Sequence, residues 1–176
     1  MRNRIAVFAA TLACALAHAQ APQGCDTPES HRLDFWLGEW KLTYTQNGKE
    51  GTSHNRIAKT LDGCAIFEEF TGPPGVPLQG RSMSMFDRVA MRWKQVWVDN
   101  SGAWLDFAGD PAADGGMVFS RELTRNGQRI MQRMVFSDVK PASLRWQWQR
   151  SLDGGATWAT QWDIRYERVG KQAGGG

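Results

Sequence analysis

From residue 38 onward the chain alternates large apolar and polar side chains with a period of two, and this pattern restricts the fold more than any other feature. Trp40, Leu42 and Tyr44 alternate with Lys41, Thr43 and Thr45. Trp93, Gln95 and Trp97 alternate with Lys94, Val96 and Val98, and Leu144, Trp146 and Trp148 with Arg145, Gln147 and Gln149. Trp162, Ile164 and Tyr166 alternate with Asp163, Arg165 and Glu167. Successive side chains on a strand point to opposite faces, so short alternating runs form strands with one face buried. Residues that tolerate positive φ stand between the runs: Asn47-Gly48, Asp62-Gly63, Asn100-Ser101-Gly102, Asp114-Gly115, Asn126-Gly127 and Asp153-Gly154. Each reads as a hairpin turn. About ten strands are predicted, near 39–46, 52–60, 64–71, 79–86, 92–98, 103–109, 116–122, 128–137, 143–150 and 159–168.

Consecutive hairpins make a meander. With an even number of antiparallel strands the first can pair with the last, which removes both sheet edges. The residues leave a closed barrel and a two-sheet sandwich open; the all-β, closed antiparallel up-and-down barrel is the expectation taken forward. A short helix is expected over 28–35, with Thr27 as its cap. The segment Gly72-Pro73-Pro74-Gly75-Val76-Pro77 is the one long, stiff connection, and the Gly-rich tail over 170–176 is expected to be disordered.

The N-terminus reads as a secretory leader. Arg2 and Arg4 precede an apolar run, Ile5 to Ala17, that is too short to span a bilayer. Ala17-His18-Ala19 fits a signal peptidase site, so the mature chain is expected to begin at Gln20, with an N-terminal segment over 20–37 and the barrel over 38–169. The rival reading, a lipoprotein acylated at Cys14, has Thr11 where the motif wants Leu. Loss of the leader lowers the formal charge of +3 by two, and no run of Lys or Arg remains to suggest a nucleic-acid surface. No later segment is apolar and long enough to cross a membrane as a helix. The expected location is the periplasm or the outside of the cell. Two cysteines remain, Cys25 and Cys64, and an even pair in an oxidising compartment reads as a disulfide.

The run Phe35-Trp36-Leu37-Gly38-Glu39-Trp40 opens the first strand with Gly-x-Trp, which resembles the lipocalins and the wider calycin group. In those barrels the Trp closes one end and packs against a basic residue near the end of the last strand. Arg168 occupies that place, on the face of Trp162, Ile164 and Tyr166. The resemblance therefore implies that Trp40 and Arg168 form a structural plug through a cation–π contact. Together with Gly63-Cys64-Ala65-Ile66, Trp93-Lys94-Gln95-Val96-Trp97-Val98-Asp99 and Asp153-Gly154-Gly155-Ala156-Thr157-Trp158, the set looks like a family of secreted bacterial lipocalin-like domains of unknown function. That resemblance spans nearly the whole mature chain and carries over no catalytic residue. The segment Ser151-Leu152-Asp153-Gly154-Gly155-Ala156-Thr157-Trp158 also resembles the Asp-box turn of sialidase propellers; it occurs once, in a chain too short for a propeller, and is read as a turn motif.

Nine tryptophans supply large rings for one face of the strands. They can fill the core, line a ligand cavity, or, if exposed, stack on sugars. Met83, Met85, Met117 and Met134 offer the same choice between filling and lining. Candidate ligand-binding residues are Trp93, Gln95, Trp97, Gln132, Trp146, Trp148 and Glu68. Glu68 and Glu69 are adjacent, so they point to opposite faces, and the inward one needs a partner such as Arg or Tyr. The mature chain keeps only His31 and His54, and no zinc-ligand spacing, nucleophile motif or phosphate loop is present. Some nitrobindin-like barrels hold haem through a His in later strands; this chain has none after residue 54. No cofactor, metal or catalytic residue is therefore expected. The leading functional reading is a barrel that binds a small hydrophobic ligand. The alternatives are an enzyme on a small apolar or glycosidic substrate, and a structural or interaction module with a filled barrel. Intact mass of the secreted protein is expected to start at Gln20, and thiol titration to find no free thiol. A diacylglyceryl adduct on Cys14, or two titrating thiols, would contradict these expectations.

Overall fold

A computed structural model describes residues 25–46, 49–75 and 77–170. The leader, its cleavage site, the Asn47-Gly48 turn and the tail beyond residue 170 lie outside the described residues. Ten strands follow in chain order: β1 (Gly38–Gln46), β2 (Lys49–Thr60), β3 (Ala65–Thr71), β4 (Gln79–Asp87), β5 (Arg92–Asp99), β6 (Trp104–Pro111), β7 (Met117–Arg125), β8 (Gln128–Lys140), β9 (Ser143–Ser151) and β10 (Ala159–Arg168). Each pairs antiparallel with its sequence neighbour, and β1 pairs with β10, so the sheet closes into an up-and-down barrel. The predicted barrel is the observed one, and each predicted strand overlaps its observed counterpart over most of its length. The expected short helix, of one turn or two, is present as two 3₁₀ turns at Glu29–His31 and Asp34–Trp36. Pro28, not Thr27, caps the first, although the Thr27 hydroxyl accepts the Ser30 N–H at 3.3 Å. The tighter winding brings positions i and i+3 into line, and Leu33 and Trp36, at that spacing, are both buried.

One end of the barrel is closed by this N-terminal segment. Trp40 is fully buried, and its Nε1–H donates to the Trp36 carbonyl at 2.7 Å. The Arg168 guanidinium lies 4.1 Å from the centre of the Trp40 ring. It donates to three carbonyls: Leu37, Phe35 at 3.2 Å and Pro141 at 2.8 Å. Gly38 makes this possible. Its φ is +123°, and an added Cβ would stand 2.3 Å from Nη1 of Arg168. The Gly-x-Trp signature is thus a steric demand: a side chain at 38 would occupy the place of the guanidinium.

The disulfide Cys25–Cys64 fastens the segment to the β2–β3 turn across a sequence separation of 39. A loop of that length corresponds to roughly 3–4 kcal/mol in the chain-entropy account. On the surface, His31 Nε2 and Nδ1 each lie 2.7 Å from a carboxylate, Asp26 and Asp34 respectively, and Lys59 Nζ lies 2.8 Å from Asp34. The hydrogen bonds to Asp26 and Asp34 push the His31 imidazole above its ordinary pKa.

At the opposite end, the β9–β10 connection forms the expected Asp-box turn. The Ser151 hydroxyl accepts from Gly155 N at 2.8 Å, and Asp153 accepts from Thr157 N at 3.0 Å and from the Thr157 hydroxyl. These hydrogen bonds, the Thr157 hydroxyl first, hold the Asp153 carboxyl well below the usual carboxylate range. Trp158 donates to Gly155 O at 3.0 Å and carries the Arg133 guanidinium 3.9 Å over its ring. Every group of the motif is consumed by the turn.

Replacing Arg168 by Ala is expected to lower stability by about 2–4 kcal/mol, because three carbonyls lose a charged donor and Trp40 loses its cover. Arg168→Lys should recover little of this, since an ammonium cannot span the same fork. Urea denaturation of both variants measures the effect; a wild-type midpoint in Arg168→Ala would show that the plug contributes nothing.

Candidate functional site

Inside the barrel the two halves of the wall differ in kind. Strands β2 to β5 project a polar strip: Asn55, Glu68, Ser82, Ser84 and Gln95, all buried. Strands β6 to β10 project Phe107, Met134, Phe136, Trp146, Trp148 and Trp162. Beside the strip lies a cavity of about 250 Å³, lined by Glu68 and Gln95 of the strip, by Phe70 and Trp97 of the same strands, and by the rings of the opposite wall. It extends from Trp36 and Tyr166, next to the plug, to Leu78 and Asp99 beside the β3–β4 and β5–β6 connections at the other end. The surrounding rings meet edge to face. Phe70 and Trp97 cross at 62°, Trp146 and Trp162 at 85°, and Phe107 and Trp148 at 84°. Rings arranged this way brace one another without stacking across the space.

The register explains the polar strip. Glu68 pairs with Ser82, and Gln95 with Ser84, so four polar side chains meet on one face of three adjacent strands. Strand β4 thereby inverts the usual pattern: its serines point in, while Met83 and Met85 point out and are each 39% exposed. Of the four methionines considered for the interior, only Met117 and Met134 are buried there. The pairing of β4 with a strand carrying an inward glutamate outweighs the apolar character of its methionines.

Glu68 is the centre of the strip. Its Oε1 accepts from Asn55 Nδ2 at 2.7 Å, and its Oε2 from the Ser82 hydroxyl. Asn55 Nδ2 also donates to the Tyr166 hydroxyl at 3.1 Å, which leaves the Tyr166 proton to be donated elsewhere. Gln95 Nε2 donates to Ser84 at 2.8 Å and to Ser82 at 3.4 Å. Burial raises the Glu68 carboxyl; the hydrogen bonds from Ser82 and Asn55 and the charge of Arg81 pull it back, and the net result is about 7. Burial, with the adjacent Glu68 charge, likewise raises the Tyr166 phenol. The Trp36 indole N–H, also buried at the cavity floor, makes no hydrogen bond of good geometry, yet it stands close enough to the Tyr166 hydroxyl to offset part of the rise in that phenol. At the other end, burial pushes Asp99 up, but hydrogen bonds from Ser101 and Trp97 outweigh it and hold its carboxyl below the usual range.

Of the seven residues singled out from the sequence, Glu68, Gln95, Trp97, Trp146 and Trp148 line the cavity. Trp93 and Gln132 do not. Trp93 sits at the plugged end, where its indole N–H donates to the Glu29 carbonyl at 3.1 Å. Gln132 lies nearer the opposite rim and accepts from Arg121 Nε at 2.9 Å. Both occupy inward positions, as alternation required, but at the wrong height along the barrel. Glu69 points outward, with Arg56 at 3.3 Å and Arg81 at 3.8 Å. The partner foreseen for Glu68, an Arg or Tyr, is instead Asn55 and Ser82, with Tyr166 one hydrogen bond further on. Asn55 and the two serines were not anticipated. The available signal was their spacing: Ser82 and Ser84 sit two apart, as an inward face requires, in a strand otherwise read through its methionines.

A second, shallower cleft of about 610 Å³ opens on the outer wall between β6 and β7. Those strands pair only from Ala108 opposite Ser120 to Pro111 opposite Met117, so their remaining lengths part. Arg121 packs 5.7 Å from the centre of the Phe107 ring here. Gln95 and Phe107 line both spaces, so the barrel wall is one side chain thick at this point. Among the described residues no three His, Cys, Asp or Glu side chains gather to hold a metal, and no helix is long and apolar enough to cross a membrane.

No family model and no curated protein matches the chain. The reading of the site therefore rests on its own geometry.

Glu68 has a measurable consequence for stability. A carboxyl raised from 4.5 to about 7 contributes stability that is fully present below pH 4.5 and is lost as pH rises to about 7. The loss is of order 2–4 kcal/mol at about 1.4 kcal/mol per unit. The groups packed around it are Asn55 on β2, Ser82 on β4, Gln95 on β5 and Tyr166 on β10, with Arg81 the cation acting on it. Glu68→Gln keeps an acceptor for Asn55 and carries no charge. Its melting temperature is expected to exceed wild type at pH 8 and to converge with it near pH 5. His31, whose imidazole is also raised, is common to both proteins and drops out of the difference. Parallel profiles for the two would show that Glu68 ionises without resistance.

Proposed function

We propose that this barrel binds one small, largely apolar molecule, of one or two rings or a compact branched skeleton, with a single polar group. The observation that carries the reading is the cavity of about 250 Å³ beside the polar strip and lined by aromatic rings. An apolar space of about 150 Å³ is enough to take up benzene, while drug-sized ligands occupy about 300–1,000 Å³. The apolar body of the ligand would rest against Trp146, Trp148, Trp162 and Phe107, and its polar group would meet Glu68, Gln95 and Tyr166. The disulfide and the expected leader support a site of action in the periplasm or beyond. An apolar interior beneath an outer face carrying Lys59, Arg56, Glu69 and Arg145 is the inverse of a membrane barrel, which is apolar outside.

A second reading has support from one observation. Glu68 combines burial in the cavity with a carboxyl pushed up to about 7, which suits a general acid or base. Binding remains the preferred reading, because both Glu68 oxygens are engaged by Asn55 and Ser82 and the opposite wall is hydrocarbon. The filled-barrel module fits less well, since the space is present and the described residues of the 72–78 connection expose no large apolar side chain.

Naphthalene serves as a neutral probe, read by quenching of tryptophan fluorescence. Saturable binding to the wild type and its loss in Met134→Trp, which fills the cavity, are the expected results. Native mass spectrometry of protein purified from its own host is expected to show a discrete added mass of a few hundred daltons at most. Absence of both signals would overturn the binding reading.

A further inference from the structure

The charge of the cavity narrows the ligand class further, on the footing that the barrel is a binder. Among the described residues, its ionisable lining besides Tyr166 is Glu68 and Asp99, both acids, and no Lys, Arg or His lines it. The rest of the polar lining is neutral, and most of the remaining surface is aromatic ring. The nearby guanidiniums are committed elsewhere. Arg81 donates to the Phe70 and Gly80 carbonyls, at 3.2 and 2.8 Å, and pairs with Glu69. Arg121 shares the inward face of β7 with Met117 and Phe119 but is not among the cavity-lining residues; its Nε is bonded to Gln132 and its guanidinium lies 5.7 Å from the centre of the Phe107 ring. Arg168 is bound into the plug.

Glu68 is therefore a buried carboxyl with two hydrogen-bond donors and no ion-pair partner among the described residues. Removing a carboxylate from water without a counter-charge is strongly unfavourable. Two features then act in one direction. The only cation acting on the carboxyl among the described residues is Arg81, which is beyond ion-pairing distance and paired with Glu69, and indole, phenyl and phenol rings carry negative π-faces that attract cations when solvent is excluded. An anionic ligand such as a fatty acid meets the opposite conditions on both counts: two acids, and no donor with a positive charge.

We propose that the cavity is a site for a small hydrophobic organic cation, an aromatic or branched alkyl ammonium whose charged end lies against Glu68 inside the aromatic cage. The size of the space suits about a dozen non-hydrogen atoms, above the benzene-sized limit and below the drug-sized range. The raised pKa of Glu68 agrees with this, since a carboxyl that resists ionisation alone is the one that gains most from an incoming cation.

The test compares two probes of one shape. Benzyltrimethylammonium carries a permanent charge, so the ligand's own protonation does not enter; neopentylbenzene has carbon in place of its nitrogen. Affinities for the mature wild-type protein and for Glu68→Gln are measured at pH 8 by tryptophan quenching and calorimetry. The expected result is at least tenfold tighter binding of the cation by wild type, falling to within about threefold of the hydrocarbon in Glu68→Gln. Melting curves of the variant establish that it is folded. Asp99→Asn is expected to reduce the preference by a smaller factor, because that carboxyl sits at the far end of the cavity, beside the β5–β6 connection. Equal binding of the two probes, tighter binding of the hydrocarbon, or a preference that survives Glu68→Gln would overturn the cation reading and leave the apolar-binder reading standing. Binding of neither probe would overturn both.

Discussion

The closed barrel depends on a single guanidinium. The sheet becomes a cylinder only if β10 returns to β1, and the register there sets Trp40 opposite Arg168. Arg168 then ties three separate pieces of chain together: the β8–β9 turn through Pro141, the N-terminal segment through Phe35 and Leu37, and the first strand through Trp40. Hydrogen bonds to a charged donor are the stronger kind, and a guanidinium offers five N–H groups in a fixed fork. The Cys25–Cys64 bond holds the far end of the same segment. Together they seal one end with side chains, so any space inside the barrel opens toward the other.

The interior above that seal divides its duties by strand. A barrel filled with the rings of β6 to β10 on all sides would be more stable than this one. Instead, β2 to β5 place Asn55, Glu68, Ser82, Ser84 and Gln95 inside, and the Asn55 carbonyl and the Ser53 hydroxyl are buried without a partner. Unsatisfied buried polar atoms cost about 1–3 kcal/mol each. Local departures from an ideal core are the places where a function can be traded against stability, and they agree with the binding role proposed for the cavity. The disulfide and the Arg168 plug lie at the end of the barrel where that loss can be offset without entering the cavity.

Much of this was legible from residue order. Alternation placed Trp40, Gln95, Trp146, Trp148 and Tyr166 on the inside, because strand geometry leaves no other option once one face is buried. The turn dipeptides set the strand boundaries, and Gly38 with Trp40 announced the plug. The height of each inward residue was not legible. Trp93 and Trp97 are two positions apart on one face, yet one supports the N-terminal segment and the other lines the cavity. Their roles follow from the stagger between neighbouring strands, which alternation along one strand does not encode. The same holds for β4, where the serines turn inward because their neighbours across the sheet are Glu68 and Gln95.

What the sequence determined alone was the class of structure: about ten strands in a meander, and the Cys25–Cys64 partnership. These follow from local rules, the period of a strand, the φ demands of turns and the count of cysteines. The first-to-last pairing that closes the barrel rather than splitting it into a sandwich is seen only in the fold. Tertiary structure alone decided that the barrel holds a cavity, that a buried polar strip adjoins it, and that a carboxyl with no cation at ion-pairing distance among the described residues stands among aromatic rings. Those properties depend on which residues of six separate strands reach the same level of the barrel. That level is set by register summed around a closed sheet, a quantity that no single segment of the chain contains.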